Sequence, residues 1–191
     1  MKIFIALIIA GLTVLNVNAE DEAPAAQAII NTYNMTYLER ESGYLVLREG
    51  SEFTADVDGA VQPIHNSIYY LLTENKPINY LHWLASEDIH ILVDGGPLDY
   101  YLFLEDGSVK HVRLGLDRAK GEIPAVTVPA RSYKAIKLVA GAKYGLMVNV
   151  LTPAWSKERV KIGAEPGFFN TYTNKAPWAT SEFLHSLQPI D

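Results

Sequence analysis

Ile89-His90-Ile91-Leu92-Val93, then Asp94-Gly95-Gly96-Pro97, then Leu98-Asp99-Tyr100-Tyr101-Leu102-Phe103-Leu104, closed by Glu105-Asp106-Gly107, is the stretch that decides the fold class. Two short runs rich in branched and aromatic residues are each ended by turn formers. Glycine supplies positive φ, proline a fixed φ, and aspartate a side chain that bonds its own backbone. Working outward, the same texture recurs at 44–47, 67–73 and 78–84 upstream, and at 108–114, 125–128, 133–138 and 144–151 downstream. Short strands in series, with no helical period between them, predict an antiparallel sandwich or barrel.

The flanks read differently. Residues 25–41 place Ala26, Ile29, Ile30, Tyr33 and Tyr37 near helical spacing, with Pro24 close to the start and Ser42-Gly43 as the stop. A helix is expected there. From Thr152 onward Pro153, Pro166, Pro177 and Pro189 predict an irregular tail, with one helical turn at 182–187. At the start, Met1-Lys2 precedes an apolar run from Ile3 to Leu15, and Val17-Asn18-Ala19 offers small residues for cleavage. That pattern is a signal peptide over 1–19 and predicts a secreted protein with no membrane attachment after cleavage. Asn34-Met35-Thr36 is a glycosylation acceptor triplet at Asn34. The chain divides into 1–19 (signal peptide), 20–41 (acidic stretch and helix), 42–155 (the β domain) and 156–191 (a C-terminal extension).

Composition narrows the chemistry. The chain has 191 residues, no cysteine, 16 basic against 22 acidic residues and a net charge of -6. Without cysteine there is no disulfide, thiolate nucleophile, iron–sulfur cluster or cysteine-held zinc. The acidic balance argues against nucleic acid as a partner. Ser67, Ser86 and Ser132 lack a Gly-x-Ser-x-Gly elbow, and there is no P-loop or Gly-x-Gly-x-x-Gly.

Four segments, in order, carry a family resemblance. They are Asn66 to Thr73; His82 to Ile89 with Gly95-Gly96-Pro97-Leu98; Asp106-Gly107-Ser108 through Gly115 to Gly121-Glu122-Ile123-Pro124; and Val128-Pro129-Ala130-Arg131-Ser132-Tyr133-Lys134-Ala135. The ordered set resembles the small bacterial and fungal cupins classed as a domain of unknown function, over about residues 29–155. The resemblance implies an all-β, cupin-type double-stranded β-helix (a jelly-roll barrel), here with a short N-terminal helix, and a homodimer as the working state. It also implies kinship with sugar-nucleotide epimerases and plant storage proteins. A shared fold of this kind does not define an activity.

A metal-binding cupin brings two or three imidazoles and a carboxylate together inside the barrel. Against that pattern, Tyr80 stands at the first histidine, His82 at the second, Asp88 at the carboxylate and Gly95 at the closing glycine. In the second motif Arg131 stands at the glycine and Lys134 at the histidine. The relatives usually carry Gln at Lys134 and often His at Ile91. An ammonium has no lone pair for a metal, so Lys134 is expected to pair with Asp88 or to hold an anionic group. His90 faces away from Ile91 in a regular strand, which makes it a poor substitute ligand. No cofactor is expected. A divalent metal on the reduced pair His82 and Asp88 is the alternative, and a simple His82–Asp88 hydrogen bond tying two strands together is a third.

The functional expectation is a binding module for a small organic molecule, a carbohydrate or polar metabolite. His82, Asp88 and Lys134 would be polar anchors, with Tyr70 and Tyr101 as aromatic walls. Tyr44, Tyr80 and Trp83 are further wall candidates. An isomerase or epimerase using His82 as its base, a metal-dependent enzyme, and a structural or storage-like extracellular protein are the rivals.

Overall fold

A computed structural model describes residues 22–189. The expected signal peptide, and the first residues of the acidic stretch, lie outside the described residues. The chain enters with α1 (Pro24–Tyr33), and thirteen strands follow. These are β1 (Thr36–Tyr37), β2 (Tyr44–Gly50), β3 (Thr54–Val57), β4 (Ala60–Pro63), β5 (Asn66–Thr73), β6 (Ile78–Leu84), β7 (Glu87–Gly95), β8 (Leu98–Phe103), β9 (Val109–Leu114), β10 (Ala125–Val128), β11 (Ser132–Leu138), β12 (Tyr144–Thr152) and β13 (Val160–Ile162). Two short helices close the described chain, α2 (Phe168–Tyr172) and α3 (Ser181–Ser186).

All of the strands read from the sequence are present. The N-terminal helix is shorter than expected. It stops at Tyr33 because Asn34 turns left-handed at φ 52° and its N–H returns to the Asn31 and Ile30 carbonyls. Asn short-circuits a helix in this way at low steric cost. Thr36 and Tyr37 then extend and pair with Leu45 and Tyr44. The glycosylation candidate Asn34 is exposed at this cap. The hairpin of β3 and β4 was not legible. Its turn is Asp58-Gly59, both at positive φ.

Eleven of the strands form two antiparallel sheets, and β3 and β4 form a separate two-stranded one. A six-stranded sheet runs β1-β2-β5-β12-β7-β10, and a five-stranded sheet runs β13-β6-β11-β8-β9. Their inner faces enclose one apolar cluster, including Leu72, Leu92, Leu98, Leu102, Ile136 and Met147. The outer face of the five-stranded sheet is covered by the C-terminal extension. There Phe168, Tyr172, Leu184 and Leu187 pack on Leu81, Phe103 and Ala135. Each such buried side chain stabilises by about 1.5–3 kcal/mol, so the extension is a packed layer despite its prolines. A third cluster seats α1 through Ile30 on Tyr44, Leu71 and Leu146. Among the described residues no helix is long and apolar enough to cross a membrane.

Candidate ligand-binding site

Strand alternation places the polar residues. In β7, Asp88, His90 and Leu92 are buried while Ile91 and Val93 are 42% and 52% exposed. Alternation therefore holds, with the polar pair inside and the branched apolar residues outside, which is the reverse of what hydropathy suggests. His90 does face away from Ile91, as expected, but His90 is the inward residue of the two and Ile91 faces solvent. Antiparallel register sets Asn149 of β12 opposite His90 and Leu151 opposite Asp88. In the facing sheet, register sets Lys134 of β11 opposite His82 of β6.

The two sheets are joined by a polar clasp. The Lys134 ammonium donates to Asp88 Oδ2. His90 Nε2 donates to the same oxygen at 2.6 Å. The Tyr100 hydroxyl, from β8, lies 2.9 Å from His90 Nδ1 and 2.9 Å from Met147 Sδ. Burial holds His90 below its ordinary range. A neutral ring that donates from Nε2 must accept at Nδ1, which makes Tyr100 the donor there. Burial acts to raise the Asp88 carboxyl, but His90 and Lys134 outweigh it and hold it well below the usual carboxylate range. The expected His82–Asp88 hydrogen bond does not form. His82 Nδ1 donates instead to the Tyr80 carbonyl at 2.8 Å. That bond fixes the tautomer and leaves the Nε2 lone pair without a partner among the described residues. Burial, then the nearby Lys134 charge, push His82 down to about 3.

Above this clasp a cavity of about 130 Å³ opens between the sheets. Its wall is mostly apolar, contributed by Leu38, Leu45, Ile68, Leu84, Leu151 and Trp155. Its polar end contains His82, Asp88, Lys134 and Asn149, with Asn79 and Glu41 beside them. Of the expected residues, Tyr70, His82, Asp88 and Lys134 converge here. Tyr70 donates its hydroxyl to the Ser42 carbonyl. That approach requires Gly43, at φ +83°, because a Cβ there would collide with the Tyr70 ring. Tyr101 does not converge. It faces the other way and packs on Trp178 and Phe183 under the C-terminal extension. Tyr44 packs in the α1 cluster, and Trp83 carries Lys161 over its ring. His65, His111 and His185 are exposed.

The sequence places Glu41 at the end of a helix, and the structure places it in the cavity wall instead. Its carbonyl accepts from Tyr80 N–H at 2.8 Å and from Asn79 Nδ2 at 3.2 Å, which fixes it to β6. Its carboxyl has no hydrogen-bond partner among the described residues. Burial raises that carboxyl, Asp88 adds to the effect, and Lys134 and the exposed Arg40 oppose it. Asp88 Oδ1 is likewise buried without a donor, and the Asn149 amide lies 3.3 Å from His90 Nε2, an N–H that its oxygen can accept.

The donor set does not fit a divalent metal. Both nitrogens of His90 are engaged, Asp88 is already neutralised by an ammonium, and Lys134 offers charge of the wrong sign. Among the imidazole nitrogens of the described cavity His82 Nε2 alone retains a free lone pair, the free carboxyl oxygens of Glu41 and Asp88 are not placed to share an ion with it, and a stable site needs three or four ligands. Among the described residues no group of three or more His, Asp or Glu is placed to share an ion.

Comparison with known proteins agrees with this architecture. Residues 27–163 match the family described as the cupin superfamily, DUF985. An uncharacterized protein of Saccharomyces cerevisiae is 30% identical over 152 residues, covering 72% of this chain and 75% of the yeast protein. Among solved structures, a hypothetical protein from Leishmania major superposes with a TM-score of 0.75 at 20% identity, covering 86% of this chain and 99% of that one. A protein from Shewanella oneidensis gives 0.73 at 19% identity, covering 87% and 98%.

Proposed function

The chain belongs to the cupin superfamily family DUF985, and from that membership we propose that it binds a small organic molecule in the barrel, without a metal. One observation carries this: an apolar-walled cavity of about 130 Å³ ends on His82, Asp88 and Lys134. A void of about 150 Å³ holds benzene, so this slightly smaller cavity takes an apolar body no larger than one ring. The ligand is amphipathic, with an apolar body of that size and one polar head. The mostly apolar wall disfavours a carbohydrate, whose hydroxyls all need partners once buried. His82 serves as a hydrogen-bond acceptor for the head. An imidazole pushed down to about 3 is a weak base at neutral pH, and a general base works best near the operating pH. The binding reading therefore ranks above the isomerase one.

A melting-shift screen with small amphipaths tests this proposal. Wild-type protein is expected to gain several degrees with at least one compound. Leu45→Trp, which fills the cavity from its wall, is expected to keep its own melting temperature and lose the shift. A shift that survives Leu45→Trp places binding elsewhere, and a screen without any shift refutes the proposal.

A further inference from the structure

The polar end of the cavity is unbalanced in both charge and hydrogen bonding. Two carboxyl groups, Glu41 and Asp88, face one ammonium, Lys134, and both imidazoles are held neutral. Lys134 is committed to Asp88, so Glu41 stands as the carboxyl without a counter-ion in the wall. Arg40 is the further cation that acts on it, and Arg40 is exposed. The hydrogen-bond count leans the same way. Glu41 has no donor, His82 Nε2 has none, and Asp88 Oδ1 is a buried acceptor without one, on a residue 1% exposed. Unpaired acceptors dominate this end of the cavity, and a ligand that brings donors relieves them.

We infer that the head of the ligand is an amine, and that Glu41 is the residue that selects it. This rests on the barrel being a binding site and names the class of molecule it takes. A protonated amine brings three donors and one positive charge, which matches both deficits together. It would pair with the Glu41 carboxylate, accept no proton, and offer a donor to His82 Nε2, while its apolar body lies against Leu45, Ile68 and Leu151. A carboxylate head would meet Glu41 and Asp88 with like charge and leave every acceptor unpaired. A hydroxyl supplies one donor and no charge. Burial raises the Glu41 carboxyl and so opposes its ionisation in the empty site; an ammonium seated beside it would supply the opposite charge that holds it as the carboxylate.

Three probes of one shape separate these heads: benzylamine, benzyl alcohol and benzoate, each titrated calorimetrically into the full chain. Benzylamine is expected to bind at least tenfold more tightly than benzyl alcohol, with benzoate weakest. In Glu41→Gln the amine is expected to fall about tenfold, to the level of the alcohol, while the alcohol is unchanged and so reports an intact cavity. Equal or tighter binding of benzoate or benzyl alcohol overturns the assignment, as does an amine preference that survives Glu41→Gln. If none of the three binds while another amphipath from the screen does, the amine assignment fails and the binding site stands. If nothing in the screen binds, the binding site itself fails.

Discussion

The two ends of the barrel share the same strands and differ in what those strands send inward. At one end the late residues of β5 and β11 and the early residues of β8 and β12 contribute Leu72, Ile136, Leu138, Leu98 and Met147. Packing there is tight enough that a Cβ on Gly145 would lie 2.7 Å from Leu98 Cδ1. At the other end the early residues of β7 and β11 and the late residues of β6 contribute Asp88, Lys134 and His82, and space remains above them. A filled end gains stability from every buried methylene. The open end spends stability on polar groups that must satisfy one another, and such sites tend to be where function lies.

The largest effect that can break this comparison is loss of one partner in the clasp. Asp88→Ala leaves the Lys134 ammonium buried without a counter-charge and is expected to cost about 3–5 kcal/mol by urea denaturation. Asp88→Leu combined with Lys134→Met removes both charges and is expected to recover most of that loss. If the double variant is no better than the single, the clasp is not a mutually compensating pair. Next, Leu98→Ala at the filled end is expected to cost about 2–5 kcal/mol, and Leu151→Ala beside the cavity about 2 kcal/mol, since the site is already partly open. Equal losses would erase the distinction between the ends.

A smaller effect separates the ends by pH. His82 titrates near 6.5 when unfolded and is pushed down to about 3 when folded. Between those values the unfolded chain binds a proton that the folded chain does not, so stability falls as the pH drops through that window. Each such group contributes at most about 1.4 kcal/mol per pH unit. His90 shifts in the same direction, and Glu41, raised on folding, acts with the opposite sign above 4.5. Asp88, held low, adds a further loss as the pH falls below 3.8. His82→Gln is expected to flatten the slope between pH 6 and pH 5, measured by chemical denaturation. A slope unchanged in that variant would show that His82 is not held neutral.

The filled end was easier to read from sequence than the open one. Branched and aromatic runs bounded by Asp-Gly, Gly-Pro and Asn-Lys-Pro mark strands whichever face they present, so the strand series and the barrel were legible. Which face points inward is not a local property. In β7, Ile89, Ile91 and Val93 compete with Asp88, His90 and Leu92, and the outcome depends on Lys134 and Tyr100 waiting in the other sheet. The same ambiguity exchanged Tyr100 and Tyr101: the inner tyrosine belongs to the clasp and the outer one to the C-terminal layer. Glu41 was hidden for a different reason. Helical spacing of Tyr33 and Tyr37 carried the helix past Asn34, and the left-handed cap that releases Glu41 to the cavity wall leaves little trace in hydropathy.

Methyl-resolved NMR during a benzylamine titration tests the central claim, that only the open end binds. Shifts are expected for Leu45, Ile68 and Leu151, with Leu72, Leu98 and Ile136 unmoved. Shifts confined to the exposed surface, or spread equally over both ends, would contradict it.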